Sequence, residues 1–262
     1  PARAAGAGEH GHAEAAEGEG EGEGAVAGAV GLPTARELVA ALEAILAPGS
    51  EPSAEELEPI LARLHARLAL NPEDLAWAID RFREVAGGPL GAWLAIPLGN
   101  LKDPEVETIA LALVGEKGDS ARRLAGLELL DRLDIDAAET RAAVVTVLRE
   151  DGSPAVLAGA LYALHASPAD PVQVRETVAA LAPLGAHGDP EVRRRAVVAL
   201  GEWAPDAAAL APVMRALSDG APEVRAGAAF AIGSARVASA DAVAELQRMV
   251  ADEREDWGVR EV

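Results

Sequence analysis

Asp189-Pro190-Glu191-Val192-Arg193 opens one unit of this chain, and Ala221-Pro222-Glu223-Val224-Arg225 opens another 32 positions later (224 − 192). The first continues through Ala196, Ala199 and Leu200, the second through Ala228, Ala231 and Ile232, at the same shift. Self-similarity at such a period marks a repeat architecture, in which each unit buries its apolar face only against its neighbours. Positions i, i+4, i+7 and i+8 lie on one face of a helix. That face is mostly alanine here, so two helix backbones can approach closely.

The frame extends both ways along the chain. Val156, Ala160, Ala163 and Leu164 stand 36 positions before the first unit, behind Ser153-Pro154. A further 35 positions back are Ala121, Ala125, Glu128 and Leu129, where Glu128 breaks an otherwise apolar set. Val259-Arg260 follows Val224-Arg225 by 35. Each such helix precedes a second one. The clearest run from Asp206 to Ser218 and from Ser239 to Val250, with Leu210, Val213 and Leu217 answering Val243, Leu246 and Val250 at a shift of 33. The expected pairs are 89–100 with 103–116, 119–133 with 137–149, 154–166 with 170–182, 189–203 with 206–218, and 221–236 with 239–251. A last helix opens near Trp257. The expectation is an all-α, right-handed α-solenoid of stacked helical hairpins.

The D-P-E-V-R opening and the A-x-x-A-L run after it resemble the HEAT repeat, in particular the short form of bilin lyases. Asp103-Pro104-Glu105-Val106 repeats the first four letters. The resemblance covers residues 89–262 and implies a scaffold whose second helices line the binding face. It names no partner, because one fold hosts many functions. Two HEAT-like enzymes set sharper tests. Deoxyhypusine hydroxylases hold iron through His-Glu pairs, but His65 precedes Ala66, His165 precedes Ala166 and His187 precedes Gly188. A bilin lyase would need a pocket for a tetrapyrrole carboxylate, and no residue here stands out for one.

Three regions are expected. Residues 1–30 read as an acidic tail without fixed structure, because the run Glu17 to Gly24 alternates charge with glycine and has little apolar surface to bury. Residues 31–88 read as N-terminal helices, capping or degenerate repeats. Pro33-Thr34 starts one helix, Ser53 with Glu56 forms a capping box for the next, and Asn71-Pro72 caps the third. Residues 89–262 form the repeat array, the last repeat incomplete.

The composition narrows the function. The net charge is −20, from 23 Lys and Arg against 43 Asp and Glu. Such a field repels nucleic-acid phosphates and anionic membranes. With no cysteine, thiol nucleophiles, disulfides and Cys-based metal sites are excluded. No apolar run is long enough to insert in a membrane. His10 and His12 could chelate a metal, but a third ligand at a defined spacing is missing, so neither a metal nor a cofactor is expected. A start without Met, followed by a Gly/Glu-rich spacer, fits an exported or periplasmic protein; a cytoplasmic one is the alternative. G-x-S-x-G elbows and phosphate loops are absent, so catalytic residues are not assigned.

Binding residues are then sought on the second helices. Arg141, Arg175, Arg215 and Arg248 form a candidate cationic stripe for a carboxylate-rich partner segment, and Trp257 a candidate aromatic anchor. Arg193, Arg225 and Arg260 recur at one repeat position and are expected to pair with acidic residues of the next unit as a structural ladder. The expected role is a non-catalytic scaffold or adaptor for a protein partner or for other copies of the chain. An enzyme or enzyme accessory subunit, and a structural subunit of a larger assembly, are the alternatives.

Overall fold

The computed structural model describes residues 33–50, 52–134, 137–164, 170–204, 206, 209–235, 240–251 and 256–260, without the side chains of Trp257 and Arg260. The expected acidic tail, His10, His12 and His165 lie outside the described residues. Among the described residues every regular element is a helix.

Short N-terminal signals start these helices. In α1 (Ala35–Ile45) and α2 (Ala54–Leu70), Thr34 with Glu37 and Ser53 with Glu56 close capping boxes. Each Glu accepts its cap residue's backbone N–H, at 2.8 and 3.0 Å, which lowers both carboxyl pKa values. Asn71 caps α3 (Pro72–Val85), and Asp103 caps α5 (Pro104–Gly115). Asp119 caps α6 (Ser120–Leu133), Asp170 caps α9 (Pro171–Leu184) and Asp189 caps α10 (Pro190–Trp203). Each of these side chains accepts an N–H that the first helical turn leaves unpaired. Several of these helices, and α4 (Pro89–Gly99), α8 (Pro154–Tyr162) and α12 (Pro222–Ser234), start on proline, which lacks that N–H.

The helices stack in two rows. One row runs α2, α4, α6, α8, α10, α12 and α14 (Trp257–Arg260), each packed on the next. The other runs α1, α3, α5, α7 (Ala138–Glu150) and α9. The rows join where α3 meets α4, α5 meets α6, α7 meets α8, α9 meets α10, and α11 (Ala211–Ala216) meets both α10 and α12. Thus each second helix packs on the first helix of the following unit. The three N-terminal helices continue the same rows.

The seam between α10 and α12 shows how close the stacking is. Val192, Ala196 and Leu200 are fully buried, as are Val224, Ala228 and Ala231. A Cβ on Gly201 would lie 2.6 Å from the Ala231 carbonyl oxygen and 2.8 Å from its Cα. Only a residue without a side chain fits there.

The structure moves three expected boundaries. Counted from its Asp119 cap, α6 aligns with α10 at a shift of 70, one residue from the expected frame (189 − 119). Gly126, Leu127, Leu129, Leu130 and Leu133 then answer Ala196, Val197, Ala199, Leu200 and Trp203, all buried. Glu128 falls on the exposed face and conflicts with nothing. Likewise Ala242 and Met249 are the buried residues of α13 (Ala240–Ala251), while Val243 and Val250 are exposed. The shift from Leu210 and Leu217 is therefore 32, matching the first helices (242 − 210). Finally, α11 starts at Ala211 instead of Asp206, because Pro212 is tolerated only in a first turn.

Candidate protein-binding surface

A chain built this way offers side chains on its rows, and each candidate can be located by its distance from the helix cap. Five places beyond the Asp119 and Asp189 caps, counting the cap as one, stand Arg123 and Arg193. Arg193 makes a two-pronged pair with Asp219 in the loop before α12, Nε to Oδ2 at 2.9 Å and Nη2 to Oδ1 at 2.9 Å. Its Nη1 also donates to the carbonyls of His187 and Gly188. Arg123 pairs with Asp151 in the equivalent loop before α8, and its Nε donates to Val114 O at 2.8 Å. Asp219 and Asp151 each also accept a backbone N–H two residues on, at 2.9 and 2.7 Å. The Arg193 bonds hold the Asp219 carboxyl below its ordinary range and raise the guanidinium of Arg193 in turn. Arg225 donates Nη1 to the carbonyls of Asp219 and Gly220, the same offsets as Arg193. The Arg260 side chain lies outside the described residues.

The rung between α8 and α10 is different. Leu157 occupies the arginine position and is buried. His187 occupies the aspartate position, and its Nδ1 accepts the Asp189 N–H at 3.1 Å. The histidine thus performs the cap-side half of the aspartate's work.

The four arginines of the expected stripe do not lie on one surface. Arg141 is buried, donates to Gln173 of α9, and holds its guanidinium 5.9 Å from the Trp203 ring centre. Through these contacts Arg141 joins α7 to α9 and α10, and it serves packing between them. The Trp203 indole N–H has no hydrogen-bond partner among the described residues. Arg175, Arg215 and Arg248 are exposed. Arg248 pairs with Glu245 of its own helix. Arg215 lines an open recess of about 430 Å³ with His187, Arg193, Ser218 and Asp219. The Trp257 side chain lies outside the described residues.

The row of first helices carries what the sequence reading missed. Tyr162, Val198 and Phe230 stand at one repeat position on α8, α10 and α12, separated by 36 and 32 (198 − 162, 230 − 198). Tyr162 and Phe230 are 56% and 51% exposed, unusual for rings, and Val198 is half-buried. Between α8 and α10 lies a cleft of about 330 Å³ lined by Leu161, Tyr162, Arg194, Arg195, Val198 and Glu202, among others. The Arg195 guanidinium lies 3.2 Å from the Tyr162 ring centre, a cation–π contact that fixes the ring. Glu191 accepts from both Arg194 and Arg195, at 2.8 and 2.6 Å. Hydrogen bonding to Glu191 raises the Arg194 pKa, while burial pulls that of Arg195 down. The signal was present in the sequence: carrying the repeat frame to the outward position finds all three residues.

A larger recess, about 680 Å³, opens between the loops of α1, α3, α4 and α6. Its charges are engaged with one another: Arg81 with Glu43 and Glu84, Arg122 with Glu116 and with the Arg83 carbonyl. Such closed pairs join neighbouring units and present little to a ligand. Among the described residues, no group of three or more His, Asp or Glu could hold a metal ion, and no helix is long and apolar enough to cross a membrane.

Two stacked rows of helices, repeat-periodic salt bridges and an alanine seam define an all-α solenoid. Residues 178–262, from α9 onward, match the family model of HEAT repeats. That stretch is similar to HEAT repeats, and the helices before it stack in the same two rows. A search of curated proteins finds no match.

Proposed function

We propose that this chain is a non-catalytic protein-binding scaffold, and that its docking surface is the outer face of α8, α10 and α12. HEAT repeats generally mediate protein interactions, which supports the coarse reading. The observation that carries the finer one is the row Tyr162, Val198 and Phe230. Packing does not require a half-exposed ring, and each one left in water forgoes part of the stabilisation of about 1.5–3 kcal/mol that burying such a side chain gives. Scattered exposed apolar residues are ordinary, but the same outward position in three successive units makes a contiguous strip. Aromatic anchors at the centre of an interface dominate binding energies.

The test is site-specific photo-crosslinking in extracts of the native source. A photoreactive residue at Phe230 should capture a defined protein, and one at the exposed Arg175 of α9, on the second-helix row, should not. Capture at Arg175 alone would move the docking surface to the other row. Capture at neither would remove the scaffold reading.

A further inference from the structure

We propose that the recess between the loop before α10 and the loop before α12 is a binding site for a singly charged carboxylate, held by Arg215, His187 and Ser218. This site is separate from the docking face above and does not depend on it.

The unused hydrogen-bonding groups of the recess supply the first argument. Its volume of about 430 Å³ suits a small ligand, and its walls come from the end of α9, from α11 and from the loops that follow them. Two of its charged residues are already occupied. Arg193 donates Nε and Nη2 to Asp219, and Nη1 to the carbonyls of His187 and Gly188. Asp219 accepts those two bonds and the Ala221 N–H. Three other polar side chains keep donors to spare. The exposed Arg215 guanidinium and Ser218 hydroxyl have no partner among the described residues. The half-buried His187 accepts the Asp189 N–H on Nδ1 at 3.1 Å, so the hydrogen of its neutral ring is on Nε2, which meets no acceptor among the described residues. A guanidinium, an imidazole N–H and a hydroxyl around one recess, whose own carboxylate is occupied, suit a ligand that accepts hydrogen bonds: an oxyanion.

The repeat supplies the second. In the units before and after, the place of His187 is held by Asp151 and Asp219. Histidine does the same cap-side work without a negative charge, which would repel an anion. Arg215 stands four residues before Asp219, a place held by Pro183 before His187 and by Val147 before Asp151. Two departures from the repeat, on different loops, thus meet in one recess, and each makes it more receptive to an anion.

Charge selects a carboxylate over a phosphate. Two guanidiniums, Arg193 and Arg215, face the single carboxylate of Asp219, which leaves one positive charge to balance. Asp189, two residues from His187, turns its carboxylate to the N–H groups of Glu191 and Val192 at the positive end of α10. A phosphate dianion would bring an uncompensated charge toward Asp219, which its Arg193 bonds keep ionised.

A free carboxylic acid and an acidic side chain of a peptide offer the same group, and the test separates them. The whole chain is titrated at constant ionic strength with sodium acetate, with an alanine–glutamate–alanine peptide blocked at both ends, with inorganic phosphate and with sodium chloride. NMR follows the backbone amides of Gly188 and Ser218. Expected are saturable shifts with a carboxylate, and binding weakened about tenfold or more in Arg215→Gln and in His187→Asp. His187→Asp keeps the acceptor that Asp219 supplies in its own unit, and Arg215 is exposed, so circular dichroism should show both variants folded. A peptide that binds several-fold tighter than acetate makes the ligand a side chain; acetate binding as well or better makes it a free acid, and either result supports the site. Shifts no larger than those from chloride, phosphate binding as tightly as the better carboxylate, or unchanged binding in either variant would overturn the proposal.

Discussion

Gly201 and Gly233 occupy the same place in consecutive units, 32 apart (233 − 201), yet replacing each by alanine should have opposite effects. Alanine is favoured over glycine inside a helix by about 1 kcal/mol. At Gly233 a Cβ meets nothing within 4 Å among the described residues, so Gly233→Ala should keep that gain. At Gly201 the Cβ would stand 2.6 Å from the Ala231 carbonyl oxygen, 2.7 Å from its Cβ and 2.8 Å from its Cα. Ordinary contact begins near 3.4 Å, so α12 must retreat by several tenths of an ångström. Two of these are helix backbone atoms and the third is the Cβ fixed to them, so none can rotate away. Overpacking of this kind costs about 1–3 kcal/mol, and the rigid neighbour places it in the upper part of that range. The net expectation for Gly201→Ala is a loss of about 1–2 kcal/mol. Urea unfolding followed by helical circular dichroism measures both variants. Hydrogen exchange locates the loss, which should fall on α10 and α12, because a solenoid transmits damage chiefly to neighbours. If Gly201→Ala stabilises the chain as Gly233→Ala does, α10 and α12 do not approach at this point and the seam is misplaced.

Other perturbations test other parts of the packing. Ala199→Arg and Ala231→Arg each force a charge into a buried seam and should destabilise by about 3 kcal/mol or more, whereas Ala179→Arg on the exposed side of α9 should change the urea midpoint little. Asp219 has a folded pKa below its unfolded value of about 3.9, so its stabilisation is present above that pH and is lost as pH falls through the folded pKa. Asp219→Asn should accordingly lower stability at neutral pH, and its stability should fall less than the parent's on acidification below about pH 4. Trp203→Phe should cost less than about 1.5 kcal/mol, since the indole N–H has no partner to lose, while Trp203→Ala should cost about 3–5 kcal/mol in chemical denaturation.

The repeat was legible because two units, at Asp189 and Ala221, keep nearly the same opening letters. Caps and first-turn prolines carried most helix starts, since the N–H groups they serve are left over in any helix. Where the opening letters drift, register slipped by one residue: α6 begins Asp119-Ser120-Ala121 without proline, and the frame was carried to Ala121 by small-residue spacing alone. The fate of Arg141 could not be read from its sequence neighbours, because its contacts, Gln173 and Trp203, lie on helices of later units. The Arg193 ladder was half legible: the recurring arginine is visible in sequence, but its aspartate comes 26 residues later, in a loop the repeat frame did not single out. The outward row was overlooked for a different reason. The repeat was traced through its buried positions, and exposed ones show no pattern until those are set.

Distances along the row of first helices test the stacked arrangement most directly. The chain has no cysteine, so spin labels can be attached at introduced cysteines alone. With one label at Glu128 on α6 and the second moved to Val198 and then Phe230, pulsed electron resonance should report separations of about 16–20 Å and then about 24–30 Å, one helix width added per unit. Separations that fail to grow from α10 to α12 would mean that these helices surround a common interior, and the two-row solenoid would be wrong.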